Sequence, residues 1–166
     1  MAVTIVATAK SASANSYVTL AEAEAYFVGR SGTTSWDNET TDNKNRALVT
    51  ATNRLEQVDY HGTPTDSSQR LKWPRVGTYD LDGRYHDQDT IPRPIQEATY
   101  EVALALVNGD LELKDSGLEG FRSTKVGPLA VEPYHGYEAG SLPRQVRRLL
   151  QGLMVGMSGL TVRVSR

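Results

Sequence analysis

The chain contains no cysteine among its 166 residues, so disulfide bonds and thiolate metal sites are excluded. Long apolar runs are also missing, and near the N-terminus the lysine follows the short apolar stretch instead of preceding it. We therefore expect neither a signal peptide nor a membrane-spanning helix. An excess of one charge is missing too. The net charge of -2 gives no support to a sequence-independent electrostatic attraction to nucleic acid.

Motifs for catalysis and cofactor binding are absent from the sequence. There is no nucleophile elbow, phosphate-binding loop or dinucleotide fingerprint, and His61, His86 and His135 are not spaced as paired metal ligands. Asp80 and Asp82 belong to an acidic stretch whose spacing does not match a calcium-binding loop. We expect a protein that is not an enzyme and that uses no metal or other cofactor.

The length and a hydrophobic content of 39% predict one domain with a single core. Apolar residues recur with the period of a helix in four segments, so we expect a mainly α fold, a small bundle of about four helices. These predicted helices cover residues 20–28, 41–58, 92–108 and 143–152. The third has a nearly continuous apolar run and should lie at the centre of the core.

The segments between and after these helices are expected to be extended or irregular. From Tyr60 to Pro92 the periodicity disappears, which predicts one long inter-helix loop. Two short strands around Gly127-Pro128 predict a β-hairpin near 121–134. The residues from Leu160 to Arg166 alternate apolar and polar side chains like a strand. We divide the chain into a helical domain with the hairpin, 1–152, and a C-terminal extension, 153–166.

The segment LKWPR at residues 71–75 lies inside the long loop and places a tryptophan between two cations. An indole beside cations can stack on the bases of single-stranded nucleic acid. A tryptophan next to a proline is at least as often a plug that pins a long loop to the body of the domain. We favour the plug and keep base stacking as the alternative.

Charge is unevenly distributed along the chain. Residues 76–119 contain ten acidic and three basic side chains, whereas residues 141–166 contain five arginines and no acid. Identical copies arranged head to tail could place the basic end of one against the acidic loop of the next. An ordinary dipole on a monomer is the alternative, and charge alone does not distinguish the two.

Several motifs follow one another in a recognisable order. They are SYVTLAEAEAYF at 16–27, Trp36, ALVTATNRLEQV at 47–58, LKWPRVGTYDLDG at 71–83, IPRPIQEATYEVALALVNGD at 91–110 and STKVGPLAVEPY at 123–134. Over residues 16–150 the chain resembles the small phage proteins described as putative DnaT-like single-stranded-DNA-binding proteins. The same organisation looks like that of the head-to-tail connector, or adaptor, of tailed phages.

The resemblance to connectors implies a structural virion protein, made in the bacterial host cytoplasm and located in the neck between capsid and tail. Its subunits would form a ring, usually a dodecamer, that binds the portal protein on one side and a tail-side connector or tail terminator protein on the other. Double-stranded DNA would pass through the channel without sequence-specific binding, and no membrane would be involved. Single-stranded-DNA binding is the alternative function. We favour the connector because one tryptophan-cation cluster on a nearly neutral chain makes a poor DNA-binding surface.

Contacts with other subunits or partners are expected from the LKWPR segment, the acidic loop and the arginine-rich C-terminal part. The candidate contact residues are Lys72, Trp73, Pro74, Arg75, Asp80, Asp82, Arg144, Arg147, Arg148, Leu160, Val162, Arg163, Val164 and Arg166. A second set is expected to project towards the channel or the tail: Lys125, Gly127 and Pro128. On this hypothesis Trp73→Ala should impair assembly more than folding, and the reverse result would favour the plug.

Overall fold

The computed structural model describes residues 3–109, 121–124, 131–133 and 142–155. Its elements are α1 (Leu20–Val28), α2 (Thr34–Asp37), α3 (Thr41–Leu55), β1 (Thr63–Pro64), β2 (Arg75–Val76), α4 (Arg93–Val107), β3 (Phe121–Thr124), β4 (Val131–Pro133) and α5 (Arg144–Leu149). The fold is mainly helical with a short antiparallel hairpin, which confirms the predicted fold class. Within the described ranges, no helix has the length and apolar character needed to cross a membrane.

Helices α1 and α3 begin at threonine caps. The Thr19 hydroxyl oxygen accepts a hydrogen bond from the backbone N–H of Glu22, and the Glu22 carboxylate accepts one from the backbone N–H of Thr19. The Thr40 hydroxyl oxygen accepts a hydrogen bond from the backbone N–H of Asn43. These bonds satisfy N–H groups that have no partner inside the helix, and both helices begin where the sequence predicts.

Helix α4 is the central element of the core. Pro92 precedes it and Pro94 occupies its first turn, where a missing N–H costs nothing. Residues 98–104 are all buried, and the helix packs against α2, α3 and α5. Because α4 has neighbours on several sides, its nearly continuous apolar run is buried as far as residue 104 and half-buried over residues 105–107, in line with the central position expected from the sequence. The hydroxyl of the buried Thr99 donates to the carbonyl oxygen of Ile95 at 2.8 Å.

Helix α2 was missed by the sequence analysis, so the described part of the chain holds five helices where about four were expected. Four residues are too few to show a helical period. The Trp36 indole nevertheless anchors this turn in the core, with its ring 4.7 Å from that of Phe27. The ammonium group of Lys44 lies 5.7 Å from the centre of the Trp36 ring.

The connection from α3 to α4 contains no helix, as predicted, but part of it is ordered by strand pairing. β1 and β2 are antiparallel, with Thr63 opposite Val76 and Pro64 opposite Arg75. Gly62, just before β1, has a φ of +72, and a Cβ atom there would lie 2.2 Å from the carbonyl oxygen of Val76. Only glycine fits such an approach. The pairing therefore closes the loop that carries the LKWPR segment.

The predicted hairpin is present, since β3 and β4 pair antiparallel with Thr124 opposite Val131. Its turn, with Lys125, Gly127 and Pro128, lies outside the described residues.

The C-terminal part begins with α5, which follows Pro143 as the sequence predicts. Leu153 lies in the core, and Met154 forms an antiparallel bridge with Tyr60, so the packed chain continues past α5. The C-terminal candidate contact residues Leu160, Val162, Arg163, Val164 and Arg166 lie outside the described residues. The division of the chain at residue 152 stays a prediction.

Candidate functional site

The Trp73 indole is buried in the subunit. Its side chain is 1% exposed, and its ring meets that of Tyr60 edge to face with 5.4 Å between the centres. Leu71 and Pro74, on either side, are buried as well. The indole therefore pins the long connection to the body of the domain, as the plug interpretation predicts. Its faces cannot stack on bases while the subunit keeps this fold.

Arg75 holds the turn before β1 through backbone oxygens. Its guanidinium donates hydrogen bonds to the carbonyls of His61 at 2.8 Å, Gly62 at 2.6 Å, Lys72 at 3.2 Å and Tyr60 at 3.3 Å. The residue is only 9% exposed, and burial lowers the pKa of its guanidinium. Backbone oxygens alone satisfy a buried cation here, so Arg75 serves the loop and is not presented to a phosphate backbone.

Lys72 is also engaged inside the subunit, at the C-terminal end of α3. Its ammonium donates to the carbonyl oxygen of Val58 at 2.8 Å, and its backbone N–H donates to the Glu56 carboxylate at 3.0 Å. Glu56 also accepts a hydrogen bond from the Tyr17 hydroxyl. Burial, followed by the negative charge of Glu56, raises the pKa of Tyr17. The two cations beside Trp73 thus stabilise the position of the loop.

A small hairpin, residues Thr78–His86, projects from the same connection, and we call it the acidic hairpin. The backbone N–H of Asp80 donates to the carbonyl of Arg84 at 2.9 Å, and the N–H of His86 donates to that of Thr78 at 3.0 Å. The Asp80 carboxylate accepts hydrogen bonds from the backbone N–H groups of Asp82 and Arg84, at 2.9 and 2.8 Å. The bond from Arg84 is the main cause that lowers the pKa of Asp80. Asp80 therefore shapes the turn.

Large apolar side chains cover the outside of the acidic hairpin. Tyr79 and Tyr85 pair across its two arms with their rings edge to face, 5.5 Å between centres. They are 53% and 49% exposed, and Leu81 near the tip is 71% exposed. Exposed apolar groups that project together in this way are typical of a contact surface.

An open pocket of about 230 Å³ separates the acidic hairpin from the C-terminal part of the chain. Its walls include Asp80, Leu81, Asp82, His86, Arg148 and Leu153. Gly152 has a φ of +92, and Leu81 would lie 2.8 Å from a Cβ atom at that position, so the glycine permits the close approach.

The two charge blocks of the sequence therefore meet within one subunit at this pocket. Asp80 and Asp82 share it with Arg148, although 66 residues separate Asp82 from Arg148 along the chain. Along the sequence, the acidic loop and the basic end lie far apart. For these residues the fold brings the two regions together, so their separation along the chain is not by itself an argument for head-to-tail assembly.

The arginines of α5 differ in exposure. Arg144 and Arg148 are exposed, whereas Arg147 is half-buried and its Nε atom is buried without an acceptor in the described part of the chain. The buried Val146 and the first residue after the helix, Leu150, anchor α5 to the core. The helix is therefore held in place by its buried side, while Arg144 and Arg148 on the other side are exposed to solvent.

The chain matches a known protein family over its whole length. The family model described as "Putative DnaT-like ssDNA binding protein" matches residues 1–166, the whole chain. The chain belongs to this family. No curated protein and no solved structure matches it. The family match confirms the DnaT-like part of the sequence resemblance, and the connector role stays a prediction.

In this DnaT-like chain, sequence reasoning missed an ion pair that joins Arg30, just after α1, to the buried Glu101 of α4. The Arg30 guanidinium donates to both oxygens of the Glu101 carboxylate at 2.6 and 2.7 Å, and the Tyr26 hydroxyl donates to it at 2.9 Å. Glu101 is buried, and burial is the main cause that raises the pKa of Tyr26 to about 12. These partners lie 71 and 75 residues apart, so no local pattern could reveal them.

The acidic hairpin was missed as well, although the sequence carries a signal for it. Asp82-Gly83 is a dipeptide typical of tight turns, and tyrosines stand on both sides of it at positions 79 and 85. The sequence analysis considered this stretch only as an acidic loop. Its exposed aromatic face became visible only from the fold.

Proposed function

We propose that this chain is a structural virion protein, the head-to-tail connector of a tailed phage. Its subunits form a ring, of the dodecamer type usual for such connectors, below the portal protein and above a tail-side connector or tail terminator protein. Double-stranded DNA passes through the ring without sequence-specific contacts. The protein acts in the neck of the virion, after synthesis in the bacterial host.

One observation carries the choice of a protein-binding role over a nucleic-acid-binding one. Trp36 and Trp73 are buried, and the exposed apolar side chains of Tyr79, Leu81 and Tyr85 project on a hairpin that carries two carboxylates and one arginine. Single-strand binders combine exposed aromatic rings with a positively charged groove that follows the backbone. Here the exposed rings lie on a hairpin with more carboxylates than cations and no positively charged groove, within the described residues, which suits contact with a protein.

The sequence resemblance supports the more specific part of the proposal. The order of motifs from residue 16 to residue 150 is similar to that of connectors, and a ring subunit needs exposed contact surfaces. The acidic hairpin and the exposed arginines Arg144 and Arg148 supply such surfaces on an otherwise packed helical subunit.

Single-stranded-DNA binding is the second candidate, and the printed description of the family favours it. The residues able to serve it are the exposed Tyr79 and Tyr85 with Arg84 between them, together with Arg144 and Arg148. The Arg84 guanidinium is already shared between Asp82 at 3.3 Å and Asp80 at 4.0 Å. We therefore rank this function below the connector.

Light scattering on the purified protein, alone and mixed with the portal protein of the same phage, tests the proposal. A labelled single-stranded oligonucleotide is titrated in parallel at low and high salt. The connector predicts a ring or a portal-dependent complex, and no oligonucleotide binding at micromolar protein. A monomer that ignores the portal and binds the oligonucleotide in a salt-sensitive way establishes the second candidate.

A further inference from the structure

The acidic hairpin offers a surface with two chemical properties at once. The rings of Tyr79 and Tyr85 and the side chain of Leu81 are apolar and exposed. The hairpin carries carboxylates at positions 80 and 82, and two more follow it in the chain at positions 87 and 89. A partner that matches both properties presents apolar and cationic side chains in alternation, since guanidinium groups pair with carboxylates and also stack on tyrosine rings.

Cations of the same subunit offset only part of this negative charge. Arg84 lies near Asp80 and Asp82, Arg148 lines the same pocket as these two carboxylates, and Lys10 pairs with Asp89. Four carboxylates against these three cations leave a net charge of -1 on this part of the surface. An acidic partner or a nucleic acid is disfavoured there by like charge.

The chain itself contains a segment of the required composition. Residues 156–166 carry Arg163 and Arg166 and no acidic side chain, and apolar residues alternate with polar ones from position 160 to position 164. In an extended strand, Leu160, Val162 and Val164 share one face. Such a segment matches the apolar and acidic character of the hairpin.

The described chain also ends next to this surface. Leu153 lines the pocket that Leu81 and Asp80 line, and the described residues end at Val155. Five chain steps separate Val155 from Leu160, the first residue of the binding segment, and an extended chain covers about 17 Å over that length. The segment can therefore leave its own subunit for the hairpin of a copy that packs directly against it.

We propose that the acidic hairpin of one subunit binds the C-terminal segment, residues 160–166, of a neighbouring copy. The choice of a neighbour, as opposed to the same subunit, rests on the proposed connector function. A ring needs two different surfaces on each subunit that fit each other, and the hairpin and the segment form such a pair. The apolar face of the segment covers Leu81 and the tyrosines, while Arg163 and Arg166 meet the carboxylates.

Disulfide trapping in the full chain tests this contact. Because the chain has no cysteine of its own, every disulfide that forms involves an introduced cysteine. Two single variants, Leu81→Cys and Val162→Cys, are purified with tags of different size, mixed and oxidised. A disulfide between the two variants can form only between copies. The matched control replaces Leu81→Cys by Val28→Cys, because Val28 is 89% exposed and lines a different pocket.

The proposal predicts that the Leu81 and Val162 pair links at least about tenfold faster than the control pair, because the contact raises the local thiol concentration. Changing Arg163 and Arg166 to glutamate in the Val162→Cys variant should remove that advantage. A second pair, Tyr79→Cys with Val164→Cys, should link in the same way and guards against misfolding of one variant.

Two results would overturn the proposal. One is disulfide formation at the same rate in both test pairs and in their controls. The other is a double variant, Leu81→Cys with Val162→Cys in one chain, that closes only an internal disulfide and gives no linked copies. Failure here is separate from failure of the connector function. A ring or portal complex that forms without the linkage keeps the connector and rejects this contact. Linked copies that neither close a ring nor bind the portal keep this contact and reject the connector.

Discussion

Replacing Trp73 by alanine should destabilise the isolated subunit strongly. The indole is 1% exposed and packs edge to face on Tyr60, so truncation leaves a large cavity between the LKWPR segment and the core. Truncation of a buried tryptophan or phenylalanine costs about 3–5 kcal/mol, out of a total of about 5–15 kcal/mol for a domain. This expectation reverses the one from sequence, in which Trp73→Ala impairs assembly more than folding.

Urea unfolding followed by circular dichroism measures the effect, because the fold is mainly helical. A loss of about 4 kcal/mol with a slope of about 2 kcal/mol per M lowers the midpoint by about 2 M. Val28→Ala is the control, and at so exposed a position its effect should stay within about 0.5 kcal/mol. A Trp73→Ala subunit that unfolds at the same midpoint as the parent, yet fails to assemble, would refute the plug.

Three further changes probe the packing that positions the candidate surfaces. Glu101→Ala removes the buried carboxylate that pairs with the partly exposed Arg30, so the free energy of unfolding should fall by about 2 kcal/mol in urea titrations, roughly the value of charge-assisted hydrogen bonds. Raising the pH from about 10 towards 12 should lower the thermal midpoint. Burial raises the pKa of Tyr26 and Tyr100 to about 12 and also raises the pKa of Tyr17 and Tyr60, whereas the unfolded chain ionises all four near the usual value of about 10. Gly62→Ala should lower the free energy of unfolding, measured by calorimetry, by well over 1 kcal/mol. Backbone strain at a positive φ costs about 1 kcal/mol by itself, and here the added Cβ would also lie 2.2 Å from a carbonyl oxygen.

Each of these predictions has a control that separates it from a general loss of stability. Gly32 has a φ of +78 with no atom within 4 Å of a Cβ, so Gly32→Ala should show the backbone strain without the clash. Equal losses at the two glycines would contradict the steric argument. Tyr26→Phe should reduce the alkaline effect, and an unchanged pH profile would show that Tyr26 does not cause it. Arg30→Met combined with Glu101→Met should recover much of the free energy of unfolding that Glu101→Ala loses. If it does not, the attraction within the ion pair exceeds the cost of removing both charges from water.

The helical architecture could be predicted from local pattern because its determinants lie close together in the chain. The Thr19 cap, the prolines before α4 and the apolar stripe of α3 act within one or two helical turns. The β3–β4 pairing was predictable for the same reason. Helix α2 could not be predicted in this way, because a single turn around Trp36 is too short to show a helical period.

The candidate surfaces depended on contacts that only the folded chain makes. The sequence placed Trp73 between two cations, and tertiary packing decided that both cations bind backbone oxygens while the indole fills the core. The sequence also separated the acidic block from the basic one, and packing of Leu81 on Gly152 brought them to one pocket. Composition and charge counts can be read directly from the sequence, and the helix positions follow from interactions between residues close together in the chain. Burial and the pairing of distant charges depend on how the chain packs, which no local pattern encodes.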